Sequence, residues 1–349
     1  MAGDGGNNDS NGNGSTTAKA APADYDAIRD MTRDADCIVF DCDGVLVDVS
    51  GSYHRAIQQT VEYMTGRIAS ELAIPDMPAR HAVSRHTVER FKNTGLFNDE
   101  TDVSCAITLA AVMPHLAGGC TYESAIDTAV RNSGPDGIAS VIRHMRDGAE
   151  MSRAVELLDH PSPDRGGLLC RVFDEKFYGS DIYSGRGGRP LLGNEIGHIR
   201  CDDVIVTDAV MEALSGRFGK SISMVTGRGL QAARYTLEPV MGWFDLGNSA
   251  FLEDEPREHA KPNPDRLDDC IRGMGCKRAI YVGDSAEDAA MARDAESDVA
   301  FCGITGTGVN PDERRRILER AAGTGIPYFT LGSVLDIPKA LNLEGQIHV

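Results

Sequence analysis

A chain of 349 residues with 41% hydrophobic and 25% charged residues has the composition of a globular protein and enough length for two domains. Its 35 basic residues stand against 53 acidic ones, a formal net charge of -18. That balance argues against general nucleic-acid binding and against an anionic membrane surface, because both are held by basic groups. Most of the positive charge is Arg rather than Lys, and an acid-rich, lysine-poor surface of this kind needs salt to screen its self-repulsion.

Nine cysteines are scattered at 37, 42, 105, 120, 170, 201, 270, 276 and 302. They form no Cys-x-x-Cys pair and no Cys/His cluster at zinc-ligand spacing, so they read as small hydrophobes in a reducing compartment. No apolar run comes near the roughly 18 residues of a membrane span. The amino terminus has neither the basic region nor the apolar core of a signal peptide, and a cytoplasmic protein is expected.

Residues 1–24, mostly Gly, Asn, Ser, Asp, Thr and Ala, read as a disordered tail. Tyr25, Ile28 and Met31 have the spacing of a short amphipathic helix. The apolar run Ile38-Val39-Phe40 then predicts a strand buried on both faces. It ends in Asp41 and Asp43, which at i and i+2 on an extended chain face one space, and Gly44 frees the backbone to turn. The carboxyl end of a buried strand is where open α/β sheets place ligands, although an acidic turn is the plainer reading.

Ser50 or Ser52 can cap a helix through Tyr53, Ile57, Val61 and Met64. Helical stretches follow at 83–91, 106–116, 124–130, 138–145, 151–158 and 168–178, separated by Gly- and Pro-rich breaks. Strand and helix alternate again after about residue 201. Strands are predicted at 221–226, 279–282, 299–302 and 328–330, and helices at 209–214, 230–237, 289–292 and 312–322. Repeated βα units with short loops predict a Rossmann-like, doubly wound parallel sheet, here with a large helical insertion after its first strand. The expected division is a core of residues 25–49 and 202–349 around an insertion of residues 50–201.

Four features recur at strand ends or in loops: the Asp41/Asp43 pair, Thr226, Lys261 in Ala260-Lys261-Pro262-Asn263-Pro264, and Asp284 with Asp288. Taken singly, Thr226 and Asp284 could cap helices and Lys261 could be a solvated loop lysine. The Gly-rich Gly303–Gly308 stretch lacks Gly-x-Gly-x-x-Gly spacing and reads as a loop.

Together, Phe40-Asp41-Cys42-Asp43-Gly44-Val45-Leu46, Val225-Thr226-Gly227-Arg228, Lys261-Pro262-Asn263-Pro264 and Gly283-Asp284-Ser285 with Asp288 resemble the motif set of the haloacid dehalogenase-like superfamily. The resemblance is to the branch with a helical cap after the first motif. Ser52–Ile57 and Phe91–Asn98 further resemble an uncharacterised group in that branch. The resemblance implies a phosphatase in which Asp41 is the nucleophile and Asp43 the acid and base. Mg²⁺ would be held by Asp41, the Asp43 carbonyl, Asp284 and Asp288, and the phosphoryl group by Thr226 and Lys261. These residue types suit the chemistry: a carboxylate nucleophile splits a slow hydrolysis into two displacements, and Mg²⁺ prefers oxygen ligands. An acid at 43 points to phosphate esters, whose alkoxide must be protonated, over carbon–halogen or carbon–phosphorus bonds.

Arg55, Lys92, Asn98, Arg186 and Arg189 fall in the implied cap, which in this branch selects substrate, and Arg228 sits close enough to Thr226 to touch it. The expected partner is a small phosphorylated metabolite. A sugar phosphomutase and a catalytically silent binding or regulatory protein remain open as alternatives.

Overall fold

The computed structural model describes residues 24–344, except 76, 78–82, 98, 162–164 and 308–309. The expected tail therefore lies outside the described residues apart from residue 24, and so does Asn98.

The strands are β1 (Cys37–Phe40), β2 (Val47–Asp48), β3 (Asp203–Val204), β4 (Ile222–Thr226), β5 (Ala250–Phe251), β6 (Arg278–Gly283), β7 (Asp298–Ile304) and β8 (Tyr328–Leu331). Among the described residues, six of them form one parallel sheet in the order β5-β4-β1-β6-β7-β8. Every residue of β1 is buried because the strand is central, with Ile38 opposite Ile222 on one side and Ile280 on the other. Successive side chains alternate between two cores. Ile38, Phe40, Met224 and Val282 enter one, and Val39, Val225, Tyr281 and Phe301 the other.

Helices cover both faces. On the first face pack α1 (Tyr25–Thr32), α9 (Asp208–Phe218), α10 (Leu230–Thr236) and α14 (Ile337–Ala340), through residues such as Ile28, Leu214, Ala233 and Ala340. On the second pack α11 (Asp265–Gly273), α12 (Ala286–Asp294) and α13 (Pro311–Ala322), through Leu267, Ala289 and Leu318. This is the doubly wound α/β arrangement that the alternating pattern predicts.

Between β2 and β3 lie α2 (Tyr53–Glu71), α3 (Arg85–Lys92), α4 (Glu100–Leu116), α5 (Tyr122–Arg131), α6 (Ile138–Met145), α7 (Ala149–Leu158) and α8 (Leu168–Gly185). They enclose a core of their own around Ile57, Met64, Phe91, Ile107 and Phe177. Helix α4 is buried on every residue from Thr101 to Val112, as suits a central helix whose few polar groups, such as Asp102 and Thr108, are hydrogen-bonded. The two passages joining this insertion to the sheet pair antiparallel as β2 and β3, with Val47 opposite Val204.

Sequence reasoning named neither these two-residue strands nor β5, because so short a run has no periodicity. It also missed α11, whose apolar Leu267 and Ile271 stand among charged residues. Helix α8 runs beyond the predicted 178 to Gly185, with a break at Gly179 (φ 78°) where a side chain would strike the Gly197 backbone. Ser52 does stand at the start of α2, but its hydroxyl donates to the Val49 carbonyl at 3.1 Å instead of capping the helix. No helix among the described residues is long and apolar enough to cross a membrane.

Candidate active site

Strands β4, β1 and β6 are neighbours, so their carboxyl ends bring Thr226, Asp41 and Asp284 to one edge of the sheet. There a cavity of about 880 Å³ opens between the sheet and the helical insertion. Asp41, Asp43, Lys261 and Asp284 line it from the core, and Tyr53, Lys92, Arg165 and Phe177 from the insertion.

Lys261 is the hub. Its Nζ lies 2.8 Å from Asp41 Oδ1 and 2.7 Å from Asp288 Oδ1, and all three side chains are at least nine-tenths buried. Burial alone would lower the Lys261 pKa, but the charges of Asp288 and Asp41 outweigh it and push it up. Asp41 goes the other way from a normal acid. Burial drives its carboxyl well above the ordinary range despite Lys261, and Asp288, Asp43 and Asp284 add to the rise. Asp288 is also buried, yet Lys261 and hydrogen bonds to its carboxylate hold it low. Its Oδ1 accepts from the Tyr281 hydroxyl at 2.7 Å, and its Oδ2 from the Ser285 hydroxyl at 2.7 Å and the Ser285 N–H at 3.0 Å. Ser285, with Asp288 completing a capping box, caps α12 in place of Asp284, to which the plainer reading gave that part.

Asp284 is clasped by Arg314 of α13, which bonds its carboxylate and, at 2.9 Å, its backbone carbonyl. Burial raises the Asp284 carboxyl, with Arg314 opposing. Gly44 (φ 74°) brings the turn after β1 against the same carboxylate, and any side chain there would collide with it. Glu287, nine-tenths buried on the cavity wall, is pushed up to about 7 by burial and by Asp288.

Carboxylate oxygens of Asp41, Asp284 and Asp288 lie within 4.8 Å of one another. An all-oxygen set of this size, gathered against a tight glycine turn, fits a hard divalent cation such as Mg²⁺. Asp288 is already so heavily hydrogen-bonded that it suits contact through water better than direct ligation. A second cluster, Asp36, Cys37 and Cys276, forms at the opposite end of β1 and β6. There the Asp36 carboxylate accepts the backbone N–H groups of Lys277 and Arg278, which accounts for it as a turn closure.

The remaining sequence candidates separate. Thr226 is fully buried and does not line the cavity; its Oγ1 accepts the Arg228 N–H at 3.2 Å, and Gly227 is the residue that reaches the wall. Arg228, expected to touch substrate, is instead 1% exposed and turned inward, onto Asp43 and Asp202. Arg55 is exposed outside the cavity, near Cys201. Lys92 does line the cavity with its side chain 42% exposed, and the Glu100 carboxylate at 2.7 Å holds its ammonium above the ordinary range. Arg186 pairs with Glu253 at 3.1 Å, and the Tyr178 hydroxyl donates to the same Glu253 at 2.5 Å, which ties insertion to core. Arg314, Glu253 and Tyr53 were missed. Arg314 and Glu253 belong to no motif, and Tyr53 falls in the Ser52–Ile57 stretch, whose resemblance assigns it no role.

The parallel sheet gathers a buried lysine and four carboxylates at its carboxyl edge, where doubly wound α/β folds bind their ligands. The sequence model of the haloacid dehalogenase-like hydrolases matches residues 35–296, and the chain belongs to that family. A proposed phosphoglycolate phosphatase from Lactobacillus delbrueckii subsp. bulgaricus is similar in structure, at TM-score 0.47 and 18% identity, over 88% of this chain and 98% of that one. A haloacid dehalogenase-like protein of unknown function from Agrobacterium tumefaciens gives 0.44 and 17% over 89% and 99%. A proposed β-phosphoglucomutase from Bacteroides vulgatus gives 0.40 and 13% over 93% and 98%. No curated protein matches the chain.

Proposed function

We propose that the protein is a Mg²⁺-dependent phosphatase that hydrolyses a small phosphorylated metabolite through an aspartyl-phosphate on Asp41. In this reading residues 25–49 and 202–349 are the catalytic core, and residues 50–201 are a cap that closes the cavity and chooses the substrate. The observation that carries the proposal is Lys261 lodged between Asp41 and Asp288, beside Asp43 and Asp284, in one cavity at the tip of the central strand.

Asp41 and a phosphate monoester are both anions, so their approach must be compensated. The carboxylates of Asp41 and Asp284 and the Asp43 carbonyl, backed by Asp288, would hold Mg²⁺, which would supply positive charge for that purpose. Lys261 adds a second, fixed charge that needs no reorganisation as the phosphoryl group transfers. The Asp41 carboxylate attacks phosphorus while Asp43 gives its proton to the departing oxygen. Asp43, now a carboxylate, takes a proton from the water that attacks the phosphoryl group, releasing inorganic phosphate and regenerating Asp41. Thr226, which does not line the cavity, shapes the turn to Gly227 through the bond from the Arg228 N–H to its Oγ1.

Colorimetric phosphate release from a panel of phosphometabolites, with Mg²⁺ and with chelator, tests the proposal. Release that needs Mg²⁺ is expected from some member of the panel. An isomerised sugar phosphate in place of free phosphate would make the protein a mutase, and no turnover of any ester would leave a binding protein.

A further inference from the structure

Arg228 is a large side chain with almost no contact with solvent, and its position is costly unless every charge around it is matched. Its Nε donates to the Asp43 carboxylate, while Nη1 donates to Asp202 Oδ2 at 2.8 Å and to Thr236 Oγ1 at 2.9 Å. The Thr236 hydroxyl passes its own hydrogen to the same Asp202 oxygen at 2.8 Å, which fixes that carboxylate from a second side. Above the guanidinium lie two rings of the helical insertion, Tyr53 and Phe177, with centroids 5.8 Å and 5.9 Å from Cζ. Tyr53 opens α2, and Asp202 follows the last turn of the insertion, just before β3. The points where the chain enters and leaves the insertion therefore converge on one guanidinium, whose Nε holds Asp43 and whose Nη2 is buried with no hydrogen-bond partner among the described residues.

We infer that Arg228 is a positioning residue that sets the orientation of Asp43 and couples it to the junction between cap and core through Asp202. The inference rests on the reading of Asp43 as acid and base. Arg228 does not line the cavity, so it has no route to the substrate except through Asp43. Only a planar fork of donors can serve Asp43, Asp202 and Thr236 at once; a lysine in its place offers one compact ammonium and must give up part of the set. Any shift of the insertion that moves Asp202 or Tyr53 then reaches Asp43 along a rigid path, so that the acid is in place only when the cap is.

Steady-state kinetics of Arg228→Gln, Asp43→Asn and the double variant, with Arg228→Lys and Asp202→Asn alongside, test this. Arg228→Gln should lower kcat on the order of 100-fold, the scale of acid–base assistance, with KM unchanged. The double variant should be no slower than Asp43→Asn, because both changes remove one function. Arg228→Lys should recover part of the loss, and Asp202→Asn, which keeps both catalytic carboxylates, should show a smaller fall in kcat at the same KM. A raised KM with kcat intact would make Arg228 a substrate contact and overturn the inference, as would multiplicative losses in the double variant or a wild-type Asp202→Asn. Crystal structures of Arg228→Lys and Asp202→Asn judge the clamp without turnover, even if Arg228→Gln fails to fold. Asp43 displaced in both supports it, and Asp43 in its wild-type place overturns it. A wild-type protein that hydrolyses no ester would sink the phosphatase reading alone.

Discussion

Replacing Lys261 with Met keeps the aliphatic stem and deletes one charge from the most crowded place in the protein. The side chains of Lys261, Asp41 and Asp288 are 10%, 9% and 0% exposed, so water screens almost none of the change. Removing one partner of a buried ion pair costs about 3–5 kcal/mol, because a charge is left without compensation. Here two carboxylates are left, and they are not equivalent. Asp288 retains Tyr281 and Ser285 as donors, whereas Asp41, already raised by burial, is the one that takes up a proton. Protonation relieves part of the cost at low pH. The destabilisation of Lys261→Met should therefore grow as pH rises, since the fold then demands an ionised Asp41 with no cation beside it. Denaturant unfolding of variant and wild type in chelator at several pH values measures this. Added Mg²⁺ should stabilise the variant more than the wild type, by binding the folded state of a more negative site. A variant within about 1 kcal/mol of wild type in chelator at every pH would refute the account of Lys261 as the cation that holds these acids together.

Asp41→Asn should abolish turnover while unfolding at least as cooperatively and at no lower denaturant concentration than wild type in chelator. Loss of activity through loss of fold would show as an early unfolding midpoint. Asp174, buried in α8 beside Arg165 at 2.8 Å, is pushed up from 3.8 to about 6 by burial, with Arg165 opposing. A raised folded pKa means stability is full below 3.8 and is lost as pH rises through about 6. The shift corresponds to about 2–3 kcal/mol. Asp174→Asn should flatten the stability–pH curve across that window relative to wild type, and an unchanged slope would contradict the assignment.

The sheet was legible because its strands are buried on both faces and so read as unbroken apolar runs, as in Ile38–Phe40 and Ala279–Val282. The acids that line the cavity were legible because a doubly wound sheet places side chains at strand ends, and Lys261 through its motif; Thr226, read in the same way, is buried and does not line it. What could not be read depends on side chains far apart in sequence. Arg228 was placed against substrate because it follows Thr226, yet folding sets it against Asp43, a partner 185 residues away in sequence. Arg314 reaches Asp284 from a charged helix that, in the sequence, presents a solvated face. Lys92 and Arg55 looked alike as cations of the insertion, and only the turn of α2 and α3 separates the one on the cavity wall from the one outside it.

The most direct measurement is to trap the phosphoryl-enzyme. Asp43→Asn, which lacks the base for the second step, is mixed with Mg²⁺ and an aryl phosphate whose leaving group needs no acid, then quenched and digested for peptide mass spectrometry. The account predicts one added phosphoryl group on the peptide that carries Asp41, absent when Asp41 is also Asn. Phosphate release with that peptide unmodified throughout, or a phosphoryl group on another residue, would contradict it.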